Sequence, residues 1–473
     1  MPQAAYDLVV IGAGTGGYVA AIRAGQLGLK TAVVERQKAL GGTCLIWGCI
    51  PTKALLEHAH ALKIAQHAAE WGIGLGGVQP TLDLKTVHAR QDKIVSGLTK
   101  GVEGLFKKNG VTWIKGTAQL AAAGKVVVTG GDDQELAAKH ILVATGSSPR
   151  SVPGVVIDHE RIITSDEAIH LPEVPKAIAI LGSGAVGVEF GSIFNRFGSK
   201  VTIIELLPRL VPVEDEAVSA ELQRTFRKQG ITALTGTKVS KAELKGSTVV
   251  LSAELPGGKN QTIEADYLLV ATGRGPVTEG LGIEKLGVET FKGYVKVDPL
   301  FRTNVDGISA VGDVITFGEG TRHPQLAHVS SAEGILVAER LAGRDVRPIN
   351  YDHVPGCTFC DPEIGSVGLT EQAAKEQGYD VRIGSFPFRA LGRARIADET
   401  DGFVKIVADK KYDEILGVHI IGPRATELVA EAVLALRTEC TVEELIRTIH
   451  AHPTMSEAMG EAAEAAHGAA IHI

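Results

Sequence analysis

Two stretches of this chain repeat one another: Leu8-Val9-Val10-Ile11-Gly12-Ala13-Gly14-Thr15-Gly16-Gly17 and Ala179-Ile180-Leu181-Gly182-Ser183-Gly184-Ala185-Val186-Gly187. Each reads as a buried strand, a glycine turn and the start of a helix. Each is followed by a second apolar strand ending in an acid, Thr31-Ala32-Val33-Val34-Glu35 and Val201-Thr202-Ile203-Ile204-Glu205. In both copies the acid lies 23 residues beyond the first glycine. Each half then closes on a third apolar strand with the same tag, Ile141-Leu142-Val143-Ala144-Thr145-Gly146 and Leu268-Leu269-Val270-Ala271-Thr272-Gly273. A lone Gly-x-Gly-x-x-Gly is a weak signal. With a strand before it, a helix after it and an acid at this distance, it reads as a dinucleotide site.

The chemistry accounts for the residue types. Glycines let the backbone approach a pyrophosphate, the helix N-terminus offers amides and a positive dipole, and the acid accepts from a ribose hydroxyl. Gly12, Gly14, Gly17 and Glu35 are thus expected to hold one dinucleotide, and Gly182, Gly184, Gly187 and Glu205 a second. A carboxylate at 205 welcomes a 2′-hydroxyl and repels a 2′-phosphate, so NAD is expected there over NADP. No arginine pair follows Glu205 to reverse that preference.

Shortly after the first fingerprint comes Gly41-Gly42-Thr43-Cys44-Leu45-Ile46-Trp47-Gly48-Cys49-Ile50-Pro51-Thr52-Lys53. The run from Ala54 reads as helix, placing Cys49 in or near its first turn, where a thiol pKa falls. Two nearby cysteines can be inert and buried, since free cysteine packs as a small hydrophobe. Next to a nucleotide turn, the pair reads as a disulfide placed to exchange electrons.

At 473 residues the chain exceeds one ordinary core and is expected to form about three or four domains. Its net charge of −7 carries no basic stripe, so neither nucleic acid nor an anionic membrane is expected as a partner. No apolar run approaches the roughly 18 residues of a membrane span. The first strand starts so near Met1 that no secretory leader is expected, and five cysteines are too few for a disulfide-stapled scaffold. In a reducing compartment a close cysteine pair is more often catalytic than structural.

Boundaries are expected near 150, 276 and 347: a first domain over 1–150, a second over 151–276, a central one over 277–347 and a last over 348–473. Strand-like runs at Val404–Val407 and Ile415–Ile421, with helical periodicity at Glu427–Leu436 and from Val442 to Ile449, make the last one α+β. The expected fold class is α/β, with two Rossmann-like domains and a C-terminal α+β domain. No metal site is read from the sequence.

The cysteine motif, the two glycine folds, Val311-Gly312-Asp313-Val314 and His450-Ala451-His452-Pro453-Thr454-Met455-Ser456-Glu457-Ala458 together resemble the pyridine nucleotide-disulfide oxidoreductases over essentially the whole chain. The resemblance implies FAD in the first fold, with Asp313 at its ribityl or pyrophosphate portion and Lys53 near the flavin. It implies NAD in the second, with Glu189 pairing Lys53 where nicotinamide meets flavin. Gly146, Gly273 and Ala327 are further implied cofactor contacts. Cys44 would exchange with a dithiol substrate and Cys49 would pass electrons to the flavin. His452 would be the general base, oriented by Glu457 and supplied by a second subunit, with His450 at the surface or behind it. The implied reaction is oxidation of protein-bound dihydrolipoamide with reduction of NAD+. The implied partners are a second copy of the chain, for C-terminal dimerisation, and the lipoyl domain of an acyltransferase or a glycine cleavage carrier. The implied setting is bacterial cytoplasm, or mitochondrial matrix after loss of an import peptide.

Several residues depart from the family pattern: Thr15, Ile46, Trp47, Gly275 and Val277. Ile46 and Trp47 flank the redox pair, where they would alter packing at the flavin or the substrate channel. Cys357-Thr358-Phe359-Cys360 has metal or thioredoxin spacing but no second pair, and is expected to be structural, as is a buried Cys440. Two other readings stay open: a nicotinamide-dependent reductase of another disulfide, and a flavin-bearing subunit that mainly docks.

Overall fold

A computed structural model describes residues 5–319 and 323–473. The chain forms two compact units.

The first unit draws on the segment up to Ala54, on Asp83–Arg150 and on Gly273–Ile349. Its centre is a sheet in which Thr112–Lys115, Thr31–Glu35, Tyr6–Ile11 and Gln134–Val143 lie side by side in that order. All three pairings are parallel, and Ile308–Ala310 adds a further parallel strand beside Gln134–Val143. Leu8, Val9 and Val10 are fully buried because parallel strands are covered on both faces, which is why this run is continuously apolar instead of alternating. The helix Thr15–Gln26 packs on Ala327–Leu341 so closely that a Cβ at Gly334 would lie 2.4 Å from the Gly16 carbonyl oxygen. Gln134–Val143 also pairs antiparallel with Lys125–Thr129, which pairs with Thr117–Ala122.

The second unit comprises Leu55–Leu82, Ser151–Thr272 and Asn350–Ile473. It repeats the parallel core with Thr232–Leu234, Lys200–Ile204, Ala177–Leu181, Tyr267–Val270 and Ile162–Ile163 in that order. Three antiparallel strands, Lys238–Lys245, Thr248–Leu255 and Lys259–Ala265, form a separate sheet. The C-terminal part is a five-stranded antiparallel sheet in the order Gly356–Thr358, Glu363–Gly368, Ile415–Gly422, Phe403–Asp409, Val381–Pro387. The helices Ala425–Arg437 and Glu457–Ala466 pack on it around Val404, Ile406, Val418, Ile420 and Met459.

The antiparallel additions to both halves were not read from the sequence. The strand Lys259–Ala265 buries only Ile263 and Ala265, so too few of its side chains face a core to leave a period in the sequence. Among the described residues no helix is long and apolar enough to cross a membrane.

Candidate redox and dinucleotide sites

The two glycine turns have the same geometry. Gly12 and Gly182 take φ of +98° and +105°, and a Cβ on either would lie 2.4 Å from the carbonyl oxygen of the residue just past the strand Gln134–Val143 or Tyr267–Val270, Ala144 or Ala271. At Gly17 and Gly187 a Cβ would come within 1.9 and 2.0 Å of the oxygens of Gly12 and Gly182. These four glycines let the turn close on itself. Gly14 and Gly184 differ, with nothing within 4 Å of an added Cβ. Each caps its helix, Thr15–Gln26 or Ala185–Phe197, and neither first turn carries an acidic side chain. Open space against bare backbone at a helix N-terminus fits the pyrophosphate of a dinucleotide.

The acids also correspond. Glu35 Oε2 accepts from the Ala13 N–H at 2.7 Å, and Glu205 Oε2 from the Ser183 N–H at 2.8 Å. Each carboxylate is thereby held beside its turn, and both are nearly buried.

In the first copy the chain returns to the turn and begins the cysteine segment there. Gly41 N–H donates to the Ala13 carbonyl at 2.9 Å, and a Cβ at Gly42, whose φ is +59°, would lie 2.5 Å from Gly14 Cα. This close approach is what the Gly41-Gly42 pair provides. Gly42–Ile46 is a short helix holding Cys44, and Cys49 opens the helix Cys49–Gln66. The sequence reading found the second helix but not the first, whose glycine start argues against it on propensity alone. Ile46 packs against the core of this unit.

Cys44 and Cys49 interact directly. The hydrogen bond to Cys49, then burial, then the charge of Cys49 push the Cys44 thiol far above its ordinary range, with Lys53 opposing and Asp313 adding to the rise. Cys49 opens its helix, at the positive end of the dipole, where a thiolate is stabilised.

Asp313 lies in a short 3-10 helix, Gly312–Val314, within a hydrogen-bonded chain. Ser147 Oγ donates to its Oδ2 at 2.6 Å, Arg274 Nε donates to Ser147 Oγ at 2.8 Å, and an Arg274 terminal nitrogen donates to the Ser147 carbonyl at 2.7 Å. Behind the turn, buried Glu333 accepts from Gly312 N–H at 2.7 Å and pairs with buried His323 Nε2 at 2.7 Å. Ser147, Arg274, His323 and Glu333 were missed by sequence reasoning, since none sits in a motif with its own signal. Gly146 and Gly273, with φ of +69° and +119°, have open space where a Cβ would be, and Ala327 begins the helix that carries Glu333.

Glu189 is buried on Ala185–Phe197 and accepts from the Phe359 N–H at 2.9 Å. Lys53 belongs to the first unit and Glu189 to the second. The thiols of Cys357 and Cys360 point at different acceptors, the carbonyls of Thr426 at 3.9 Å and Pro362 at 3.1 Å. Burial, and secondarily Glu189, push Cys360 well up, so it is an inert thiol. Cys440, expected to be buried, is only half-buried and lies 3.1 Å from the Thr438 hydroxyl.

His452 is 79% exposed, with Nδ1 2.8 Å from Glu457 Oε1. Burial raises the Glu457 carboxyl, but the hydrogen bonds from His452 and the Thr454 N–H outweigh it and hold the group below the usual range. An ionised Glu457 fixes Nδ1 as the protonated nitrogen, which leaves Nε2 as the basic one. His450 is not at the surface. Its side chain is 10% exposed and its Nε2 lies 2.7 Å from Glu431, which raises its pKa.

The chain is 46% identical over 472 residues to the mitochondrial dihydrolipoyl dehydrogenase of Pisum sativum, covering 99% of this chain and 92% of that protein. It is 44% identical over 478 residues to the dihydrolipoyl dehydrogenase of Bacillus subtilis strain 168, covering 99% of each. Among solved structures it resembles LpdA from Mycobacterium tuberculosis, with a TM-score of 0.86 at 27% identity, covering 97% of this chain and 99% of that one. Residues 6–334 match the model of the pyridine nucleotide-disulphide oxidoreductases and residues 354–463 that of their dimerisation domain, so the chain belongs to the pyridine nucleotide-disulphide oxidoreductase family.

Proposed function

We propose that this chain is an FAD-dependent oxidoreductase that oxidises protein-bound dihydrolipoamide to lipoamide and reduces NAD+ to NADH, working as a homodimer. The observation that carries the reading is the contact of Cys49 with Cys44, which lies on the short helix whose leading Gly41 is bonded to the nucleotide turn at Ala13. The dimer rests on the match of residues 354–463 to the family's dimerisation domain, and the substrate on the near full-length similarity to dihydrolipoyl dehydrogenases.

In the oxidised enzyme Cys44 and Cys49 form a disulfide. His452 of the partner subunit accepts a proton at Nε2 from one substrate thiol, and the resulting thiolate attacks Cys44 Sγ, releasing Cys49 as thiolate. The second substrate sulfur displaces Cys44 from the mixed disulfide, closing the lipoamide ring and leaving the proton on Cys44. Two electrons have then moved from substrate to the cysteine pair. FAD, which Gly12, Gly14, Gly17, Glu35 and Asp313 would hold, would supply the redox chemistry that carries this electron pair on to an NAD+ held by Gly182, Gly184, Gly187 and Glu205. Glu457 keeps Nδ1–H of the base in place, and its negative charge sustains the imidazolium between proton transfers. Glu205 selects NAD over NADP, and Asp313 anchors FAD through its ribityl or pyrophosphate portion.

The dithiol is carried by the lipoyl domain of an acyltransferase or of a glycine cleavage carrier. The setting is bacterial cytoplasm or mitochondrial matrix, in keeping with the Bacillus and pea relatives.

The purified holoenzyme tests the reading. Dihydrolipoamide should produce long-wavelength absorbance and support NAD+ reduction at rates well above those with glutathione or coenzyme A, and above those with NADP+. A flavin spectrum unmoved by dihydrolipoamide, or faster turnover with another dithiol, would overturn it.

A further inference from the structure

The duplicated fold provides its own control, because the two acids differ in one respect. Glu35 receives two hydrogen bonds from the protein: Ala13 N–H on Oε2 at 2.7 Å and Gln37 N–H on Oε1 at 2.8 Å. Glu205 receives the same two, from Ser183 N–H on Oε2 and Leu207 N–H on Oε1, both at 2.8 Å. It also receives a third, because Ser183 Oγ donates to Oε2 at 2.8 Å. Ser183 stands where the first copy has Ala13, and its side chain is fully buried.

Each carboxylate oxygen has two lone pairs. Oε2 of Glu205 is therefore saturated, and only Oε1 retains an acceptor direction, whereas Glu35 keeps one on each oxygen. The two sites also differ in their proposed duty. FAD stays bound through many turnovers, whereas the nicotinamide dinucleotide must arrive and leave in each one.

We infer that Ser183 is a positioning residue that occupies one acceptor site of Glu205, so that the second fold engages one hydroxyl of the adenosine ribose where the first engages two, and releases its dinucleotide faster. This rests on the reading of Glu205 as the ribose acceptor. A resident cofactor and an exchanging one are thereby bound by nearly identical turns. The hydroxyl sets the difference.

The test measures NADH binding to the flavin-loaded dimer directly, by titration calorimetry and by the rate of NADH release in stopped flow. Ser183→Ala should tighten NADH about three- to tenfold, the worth of one hydrogen bond. Release should slow by a similar factor, while the flavin content stays as in the parent. Unchanged or weaker NADH binding in Ser183→Ala overturns the inference. Glu205→Gln separates the two readings. If it loses NADH affinity while Ser183→Ala changes nothing, only the role of Ser183 falls. If it binds NADH like the parent, the ribose assignment falls too.

Discussion

Ser147 and Asp313 stand 166 positions apart in the chain, yet Ser147 Oγ donates to Asp313 Oδ2 at 2.6 Å, with Arg274 bonded behind the serine. A carboxylate held this way is presented in one orientation. Ser147→Ala should weaken FAD retention by about 1.5–3 kcal/mol, the range for a hydrogen bond to a charged group. The ratio of flavin to protein absorbance after gel filtration in dilute solution checks this, and full retention would show that Asp313 needs no such support.

Glu333 joins the Gly312 amide to the His323 ring inside the first unit. Glu333→Ala removes the acceptor of the buried Gly312 amide and a partner of His323, and should cost about 1–3 kcal/mol of stability, as leaving a buried donor unsatisfied does. His323→Gln, which can keep a hydrogen bond, should cost less. Urea unfolding followed by flavin fluorescence would rank the two, and equal loss would contradict the pairing.

Two glycines of the same turn should fail differently. Gly184→Ala meets nothing within 4 Å, so it should fold normally but lose NADH affinity where the new methyl intrudes on the phosphates. Gly187→Ala places a Cβ 2.0 Å from a backbone oxygen, so it should destabilise by about 1–3 kcal/mol, as overpacking does. Melting temperature and NADH titration of both variants would separate the effects.

Two histidines predict opposite pH trends. Burial, and secondarily Arg340, push His140 down to about 4. The unfolded chain binds that proton near its ordinary value of 6.5. Stability is therefore lost as pH falls from about 6.5 towards 4, by at most ~3 kcal/mol. His450 is raised by Glu431, so its contribution is fully present below the unfolded value and is lost as pH rises through the folded one. Unfolding of His140→Gln and His450→Gln at pH 5 and pH 8 should show the first closing the acid deficit and the second costing most at pH 5.

Cys44→Ser should abolish dithiol turnover and keep the flavin spectrum. His452→Gln should lower turnover by about 10²–10⁴, the usual share of general acid–base catalysis, with NADH binding unchanged. Normal lipoamide reduction by either variant would remove that residue from the proposed mechanism.

The duplicated strand, turn and helix, the two acids and the cysteine pair were all legible in the sequence, because each depends on short-range geometry. A positive φ demands glycine, a strand covered on both faces is continuously apolar, and spacing alone places an acid beside its turn. The hydrogen bonds from Ser147 to Asp313 and from Glu333 to Gly312 were not, since serine and glutamate have no local signature and their partners arrive only when distant strands pack. His450, expected behind the base or at the surface, is 10% exposed beside Glu431 of the helix Ala425–Arg437, a neighbour that spacing in the sequence does not reveal. Sequence by itself determined that two dinucleotide turns and a redox pair exist here. Tertiary structure decided how many acceptor directions each acid keeps and what surrounds each cysteine, because hydrogen-bond capacity and desolvation are set by whatever the fold brings within about 3 Å.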